Sequence, residues 1–398
     1  MTTYYLDRIL KGVLLLYVTG LVIYVWVNPG HFQWDFDVYY AGAKACSVGA
    51  NPYDSEVLAQ YLRVPTKLDF VYPSITLLVF RPFLLMQYSL AYHLFLALKC
   101  LLLIGLLFLW KTFFLRNKFD FLFVLFCFFG FNGAVFLDFM AGNISIFEQF
   151  LLWVGFYFFL KRRFIYFGSL IVVAAAFKIV PILFLFLLWH CDDGRKYYYF
   201  GGFVFLFALF MGSSYIAAPE LFAGFVHNAL RFSERGIINP SNYSLIADFF
   251  KLLYLKTGVN APGWIPATLF MGVAVVVLAV SYRAYKALKA VQILDRDLIV
   301  LFMACIVYAL ILPRFKDYSY ILLLPPAYFI ITRVQNLKTF PILFAILILS
   351  STRNIALPGI DLIFAAIWRY YPLIMAYFVW ALYLYHIFVQ IRHQTADF

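Results

Sequence analysis

The chain has 398 residues, 65% of them hydrophobic and 13% charged, with apolar runs recurring from end to end; this excludes a water-soluble globular protein and specifies a polytopic, all-α membrane protein. A net charge of +12 raises the question of nucleic acid, but Lys and Arg stand in small groups between apolar runs, so they read as topology signals and imply no nucleic-acid partner. The five cysteines, Cys46, Cys100, Cys127, Cys191 and Cys305, lack paired spacing and imply neither a disulfide framework nor a zinc site.

The first apolar run, residues 9–27, is long enough to span and is followed by no small-residue cleavage pattern, so it predicts a transmembrane helix and not a signal peptide. Further crossings are predicted near 90–110, 119–139, 144–160, 164–177, 180–190, 198–216, 263–282, 298–312, 318–333, 338–350 and 371–390, making about twelve helices. With a cytoplasmic N-terminus, the basic clusters at 111–118, 161–163, 194–196, 283–296 and 333–338 all face inwards. That parity holds two short apolar segments, 74–88 and 244–255, short of full crossings. It leaves large outer loops at 28–89 and 217–262 and short outer turns near 140–143, 178–179, 313–317 and 351–359. The chain reads as one transmembrane domain over 1–398, its polar chemistry gathered on the outer side.

The first outer loop carries the densest chemistry. Within "WDFDVYYAGAKACSVGANPYD" (34–54), the stretch from Asp37 predicts a short helix with an Asp capping its start and Gly49 in a left-handed turn at its end. Val38, Ala41, Ala45 and Val48 share a face suited to the bilayer surface. "NPYD" then turns the chain into a second short helix, "SEVLAQYL". Asp35 and Asp37 also spell D-x-D, a pattern with which nucleotide-sugar transferases hold a divalent metal. Positions i and i+2 of a helix diverge by roughly 200°, and no soluble nucleotide-binding domain surrounds the pair. The bland alternative is one capping acid beside one solvated acid.

This loop is followed, in order, by "FVYPSITLLVFRPFLLM", "GNISIFEQFLLW", "FKIVPILFLFLLW", "NPSNYSL" and "PRFKDYSYILLLPP". Together these segments resemble the polyprenol-phosphate-sugar-dependent glycosyltransferases of the C-type fold, specifically glycosyltransferase family 87 with its mannosyltransferases. The resemblance implies juxtamembrane helices in the first outer loop and an active site on the extracytoplasmic side of a bacterial inner (plasma) membrane. It implies transfer of a single sugar, with mannose as precedent, from a polyprenyl-phosphate-linked donor to an acceptor hydroxyl on a glycan or glycolipid, with inversion. In that family an aspartate of the first outer loop is the base; its spacing before Tyr39 and Tyr40 assigns that role to Asp35, with Asp37 as an alternative base or substrate-binding residue. No cofactor is expected, and a divalent metal remains open.

A phosphate leaving group needs cations at the outer edge of the membrane. Lys178 stands between two apolar half-segments, where a charge costs about 2.5 to 3.5 kcal/mol on insertion scales and marks function; snorkelling to headgroups is the competing reading. Arg314 and Lys316 lie in an outer turn that the positive-inside rule leaves uncharged, and Arg231, Arg235 and His227 in the second outer loop are further phosphate-binding candidates. Tyr39, Tyr40 and Tyr72 either line the sugar site or anchor the interface. Asn143, Gln149, Asn239 and Asn242 bond sugar or acceptor hydroxyls, or else neighbouring backbone. Asp317, followed by Tyr318 and Ser319, occupies the stretch in which many relatives of this kind carry a histidine. A membrane transporter or flippase of a lipid-linked sugar is the rival from another class, and a polysaccharide polymerase the nearer one. The lack of visible repeats and the gathering of acids at one face speak against the transporter, while a large acceptor groove in place of a compact first-loop site would mark the polymerase.

Overall fold

The computed structural model describes residues 2–28, 32–63, 68–116, 121–231, 236, 238–259, 261–290, 295–333 and 369–396. Among these, the regular elements are helices, with one isolated bridge between Gly236 and Asn239. Among the described residues, five helical stretches are long and apolar enough to cross a membrane: Tyr88–Leu115, Leu122–Ala141, Lys196–Ala217, Trp264–Lys289 and Tyr371–Val389. Of the twelve expected crossings, the one at 338–350 lies outside the described residues, as does the outer turn at 351–359; the other eleven coincide with helical segments.

The chain forms two compact units, one of Met1–Phe113 and Leu137–Phe232, the other of Phe114–Phe136 and Ser233–Phe398. The first unit contains α1 (Thr2–Val27), α2 (Trp34–Ser47), α3 (Ser55–Ala59), α4 (Ile75–Phe80) with a 3-10 turn over Arg81–Leu85, and α5 (Tyr88–Leu109), which ends in a π-helical turn. After α6 (Phe121–Ala141), whose last residues belong here, come α7 (Ser145–Leu160), α8 (Phe164–Phe177), a 3-10 segment Val180–His190, α9 (Lys196–Ala217) and α10 (Pro219–Leu230). The second unit holds the rest of α6 together with α11 (Asn242–Thr257), α12 (Trp264–Lys289), α13 (Arg296–Ile311), a 3-10 segment Asp317–Leu323, α14 (Leu324–Arg333) and α15 (Tyr371–Ala396).

Two expectations for the first loop are corrected. Its helix starts three residues early, at Trp34, so Asp35 and Asp37 lie inside the first turn and the N-cap residue is Gln33. Both carboxylates still favour that end of the helix dipole. The face of Val38, Ala41 and Ala45 is buried in protein and not laid on the bilayer, and only Val48 is exposed. It is buried because α2 packs within the unit: Phe36 stacks on Phe95 at 4.8 Å and meets Phe80, Phe83, Tyr88 and Tyr92. The C-terminus is as expected. Gly49 has φ +79, its N–H donates to Cys46 O at 3.1 Å, and the Ala50 N–H donates to Ala45 O at 2.9 Å, which closes a Schellman turn. Asp54 then caps α3 by accepting from Glu56 N and Val57 N at 2.9 and 3.3 Å.

The crossing expected over 119–139 is not one uninterrupted helix. Residues 130–133 break it, with Phe131, Asn132 and Gly133 all in the left-handed region. Two glycines in four residues lower the cost of the break. In the second unit, Phe131 stacks on Tyr320 at 5.6 Å, Tyr383 donates to Pro326 O at 2.9 Å, and Asp295 accepts from Arg116 and Arg333 at 3.0 and 2.8 Å.

Candidate active site

The site is built on the turn between α6 and α7. Gly142 has φ +69, and its N–H and that of Asn143 donate to Asp138 O at 3.0 and 3.3 Å. Glycine is required there twice over, by the backbone conformation and by space: a Cβ would lie 2.6 Å from Gln33 Cβ and 2.7 Å from Gln33 Cα. The Gln33 N–H donates to Met140 O at 2.6 Å, so the start of α2 is docked directly on this turn.

Docking brings the acid to the amide. Asn143 Nδ2 donates to Asp35 Oδ2 at 2.6 Å and lies 2.8 Å from the Tyr72 hydroxyl and 3.1 Å from that of Tyr39. The other end of the same amide accepts from the N–H and Oγ of Ser145 at 3.0 and 2.8 Å, which ties it to the first residue of α7 and fixes which way the amide points. Ser145 and Glu148, three residues apart, share a face of α7. Lys178 Nζ donates to Ser145 Oγ and to Glu148 Oε2, each at 2.7 Å. Lys178 reaches them because α8 ends there: its backbone turns extended, and Pro181 starts a 3-10 segment instead of a continued helix. Asp35, Asn143, Ser145, Lys178 and Glu148 thus form one connected polar chain.

Burial is graded along it. Asn143 and Ser145 are wholly buried and Glu148 nearly so, whereas Asp35 and Lys178 keep accessible surface. The groups open to a reactant are an acid and a cation, and the buried ones hold them. Beneath the chain, Lys99 and Asp138 form an ion pair at 2.7 Å with both side chains fully buried.

Tyr39 and Tyr72 meet the site through hydroxyls, and their rings pack edge-to-face at 4.9 Å. Tyr72 is steadied in turn by Tyr53, which donates to its carbonyl at 2.8 Å; burial pushes the Tyr53 phenol well above its ordinary value, so it stays a neutral donor. Tyr40 packs on Tyr88 at 5.1 Å. Asp37 is buried and accepts the Arg63 N–H at 3.0 Å, so it clips the loop's return, while Asp35 faces Asn143. The two carboxylates of D-x-D therefore bond to different segments, Asp35 to the α6–α7 turn and Asp37 within the loop, and among the described residues no group of three His, Cys, Asp or Glu is placed to hold a metal ion. Gln149, one turn beyond Ser145, is buried with its Oε1 unbonded among the described residues.

His227 and Arg231 stand exposed at the end of α10. Arg235 lies outside the described residues. The remaining candidates belong to the second unit. There Asn239 Oδ1 accepts from Phe315 N at 2.8 Å, Asn242 Nδ2 donates to Leu310 O at 2.8 Å, and Asn242 Oδ1 accepts from Tyr377 at 3.0 Å. Asp317 is buried, its N–H donating to Ile238 O at 3.2 Å. Arg314 and Lys316 are half-buried in the same stretch, Lys316 5.7 Å from the Tyr318 ring.

Four members of the site go unnoticed in the sequence: Lys99, Asp138, Ser145 and Glu148. Lys99 and Asp138 had a readable signal, each being a charge inside an apolar run of about twenty residues. Glu148 had the same signal more faintly, near a helix start.

The family model of glycosyltransferase family 87 matches residues 70–313, well over half of the chain. No curated protein and no solved structure matches it. The matched segment takes in Tyr72, Asn143, Glu148 and Lys178 but begins after α2; what ties Asp35 to it is the bond to Asn143. An all-helical chain with long apolar helices, a cluster of acid, amide and lysine, and a family match of this extent lead to one conclusion: the chain belongs to glycosyltransferase family 87 and is a membrane glycosyltransferase.

Proposed function

We propose that the protein transfers a single sugar, mannose by precedent in the resembled family, from a polyprenyl-phosphate-linked donor to an acceptor hydroxyl on a glycan or glycolipid, with inversion, at the outer face of a bacterial plasma membrane. The observation that carries this reading is the partly accessible Asp35 carboxylate held at 2.6 Å by Asn143, in one bonded chain with the partly accessible Lys178.

Asp35 takes the proton of the acceptor hydroxyl as its oxygen attacks the anomeric carbon. The bond from that carbon to the phosphate oxygen breaks on the opposite face, which inverts the centre. The departing phosphate gains negative charge, and Lys178 supplies a fixed ammonium for it. Glu148 already shares that ammonium at 2.7 Å, so the phosphate joins a positioned cation and does not have to order a mobile one. The bond from Asn143 aims the Asp35 carboxylate. Arg314 and Lys316 retain the anion-binding role assigned from the sequence.

The test is an assay of purified protein with a panel of polyprenyl-phosphate hexoses, including mannose, with and without a chelator. Transfer with inversion by wild type and its loss in Asp35→Asn are expected. Full transfer by Asp35→Asn removes the base assignment, and loss of activity in chelator replaces it with the D-x-D metal reading.

A further inference from the structure

Lys99 and Asp138 neither accept the acceptor's proton nor reach the surface where a donor phosphate enters, yet they sit at the centre of the unit's polar chemistry. Lys99 Nζ donates to two main-chain carbonyls, Asp138 O at 2.6 Å and Asn143 O at 2.9 Å, and its charge lies 2.7 Å from Asp138 Oδ2. The two carbonyls are the ends of one structure. Asp138 O also receives the N–H groups of Gly142 and Asn143, so Asn143 is the far end of the same turn.

Lys99 therefore ties the beginning of the 138–143 turn to its end, inside an apolar wall that includes Phe139, whose ring centre is 5.1 Å from the ammonium. A fully buried ion pair is seldom the most stable filling for its space, since apolar side chains of like volume do as well or better. Fold stability alone does not account for it. What the pair holds does: Asn143 aims its amide at Asp35, and Asp35 lies within electrostatic reach of both charges.

We infer that Lys99, held by Asp138, is a positioning residue that locks the 138–143 turn so that Asn143 presents Asp35 in the orientation needed to take the acceptor's proton. The inference rests on Asp35 being the base.

The experiment uses the full chain in lipid nanodiscs, with the donor that proves most active in the hexose panel. Lys99→Met alone leaves Asp138 uncompensated, so the informative variant is the neutral pair Lys99→Met with Asp138→Asn. Its kcat is expected to fall on the order of 100-fold, the scale of a misplaced catalytic group, with little change in donor KM or thermal midpoint. Adding Asn143→Ala to that pair is expected to lower kcat no further than Asn143→Ala does by itself. Hydrogen exchange, read without substrate, is expected to quicken at Gly142 and Asn143 and not elsewhere in the unit. Wild-type kcat in the neutral pair, losses that multiply with Asn143→Ala, or unchanged exchange at the turn would each overturn the inference. Full activity of Asp35→Asn, by contrast, overturns the base assignment while leaving the exchange result standing.

Discussion

In the first unit Asp35, Asn143, Ser145, Lys178 and Glu148 bond to one another through side-chain atoms, whereas in the second Asn239, Ser241 and Asn242 direct theirs largely at the main chain of Pro313, Phe315 and Leu310. The same residue types thus do two jobs. An amide that bonds main chain fixes one segment against another. An amide that bonds a partly accessible carboxylate orients a group that can still act on something else. Residue type alone does not separate the two uses; the identity of the partner atom does.

The comparison is broken most directly at Asp35. Replacing it with Asn keeps shape and removes the basic oxygen, and kcat is expected to drop by about 10²–10⁴-fold with the thermal midpoint retained, measured as sugar transfer by purified protein. The next largest effect belongs to Lys178→Met, where loss of the cation costs about 10²–10³-fold in kcat. Pairing it with Glu148→Leu sharpens the point. If Lys178 serves only to neutralise Glu148, the double variant recovers activity; if it serves the leaving phosphate, the double variant stays slow.

Smaller effects are expected where side chains bond main chain. Ser241 accepts the Ser244 N–H at 3.2 Å as the cap of α11 and donates to Pro313 O at 2.6 Å. Ser241→Ala is expected to cost about 1–2 kcal/mol of stability, read as a lower thermal midpoint, with kcat of the folded fraction unchanged. A fall in kcat at constant stability would move this segment from architecture into chemistry. Smallest of all is Arg116→Ala, whose exposed guanidinium meets Asp295 at 3.0 Å while Arg333 holds the same carboxylate; roughly 0.2–1 kcal/mol is expected in a denaturation assay, and less at high salt.

Much of this was legible before any coordinates. Apolar run lengths located the helices, because a bilayer leaves the backbone no other way to satisfy its hydrogen bonds locally. Gly49 and the short helix after "NPYD" were legible because turn chemistry is local. The start of α2 was not: its first turn is fixed by docking of Gln33 on Met140, a contact between distant segments. The break at 130–133 was equally hidden, since its apolar residues satisfy a helix pattern until tertiary packing decides otherwise. Within the site, Asp35, Lys178 and Asn143 stood out by motif or placement, but nothing local says that Asn143 bonds Asp35 or that Lys178 is shared with Glu148. Those pairings join residues 108 and 30 positions apart.

Gly142 resting on Gln33 makes a mortise in which bare main chain takes the root of a buried side chain. Such a joint constrains both partners: one position must be glycine, and the other must carry a side chain whose first carbons fit against it. One missing methyl group thus sets the register in which acid and carboxamide meet.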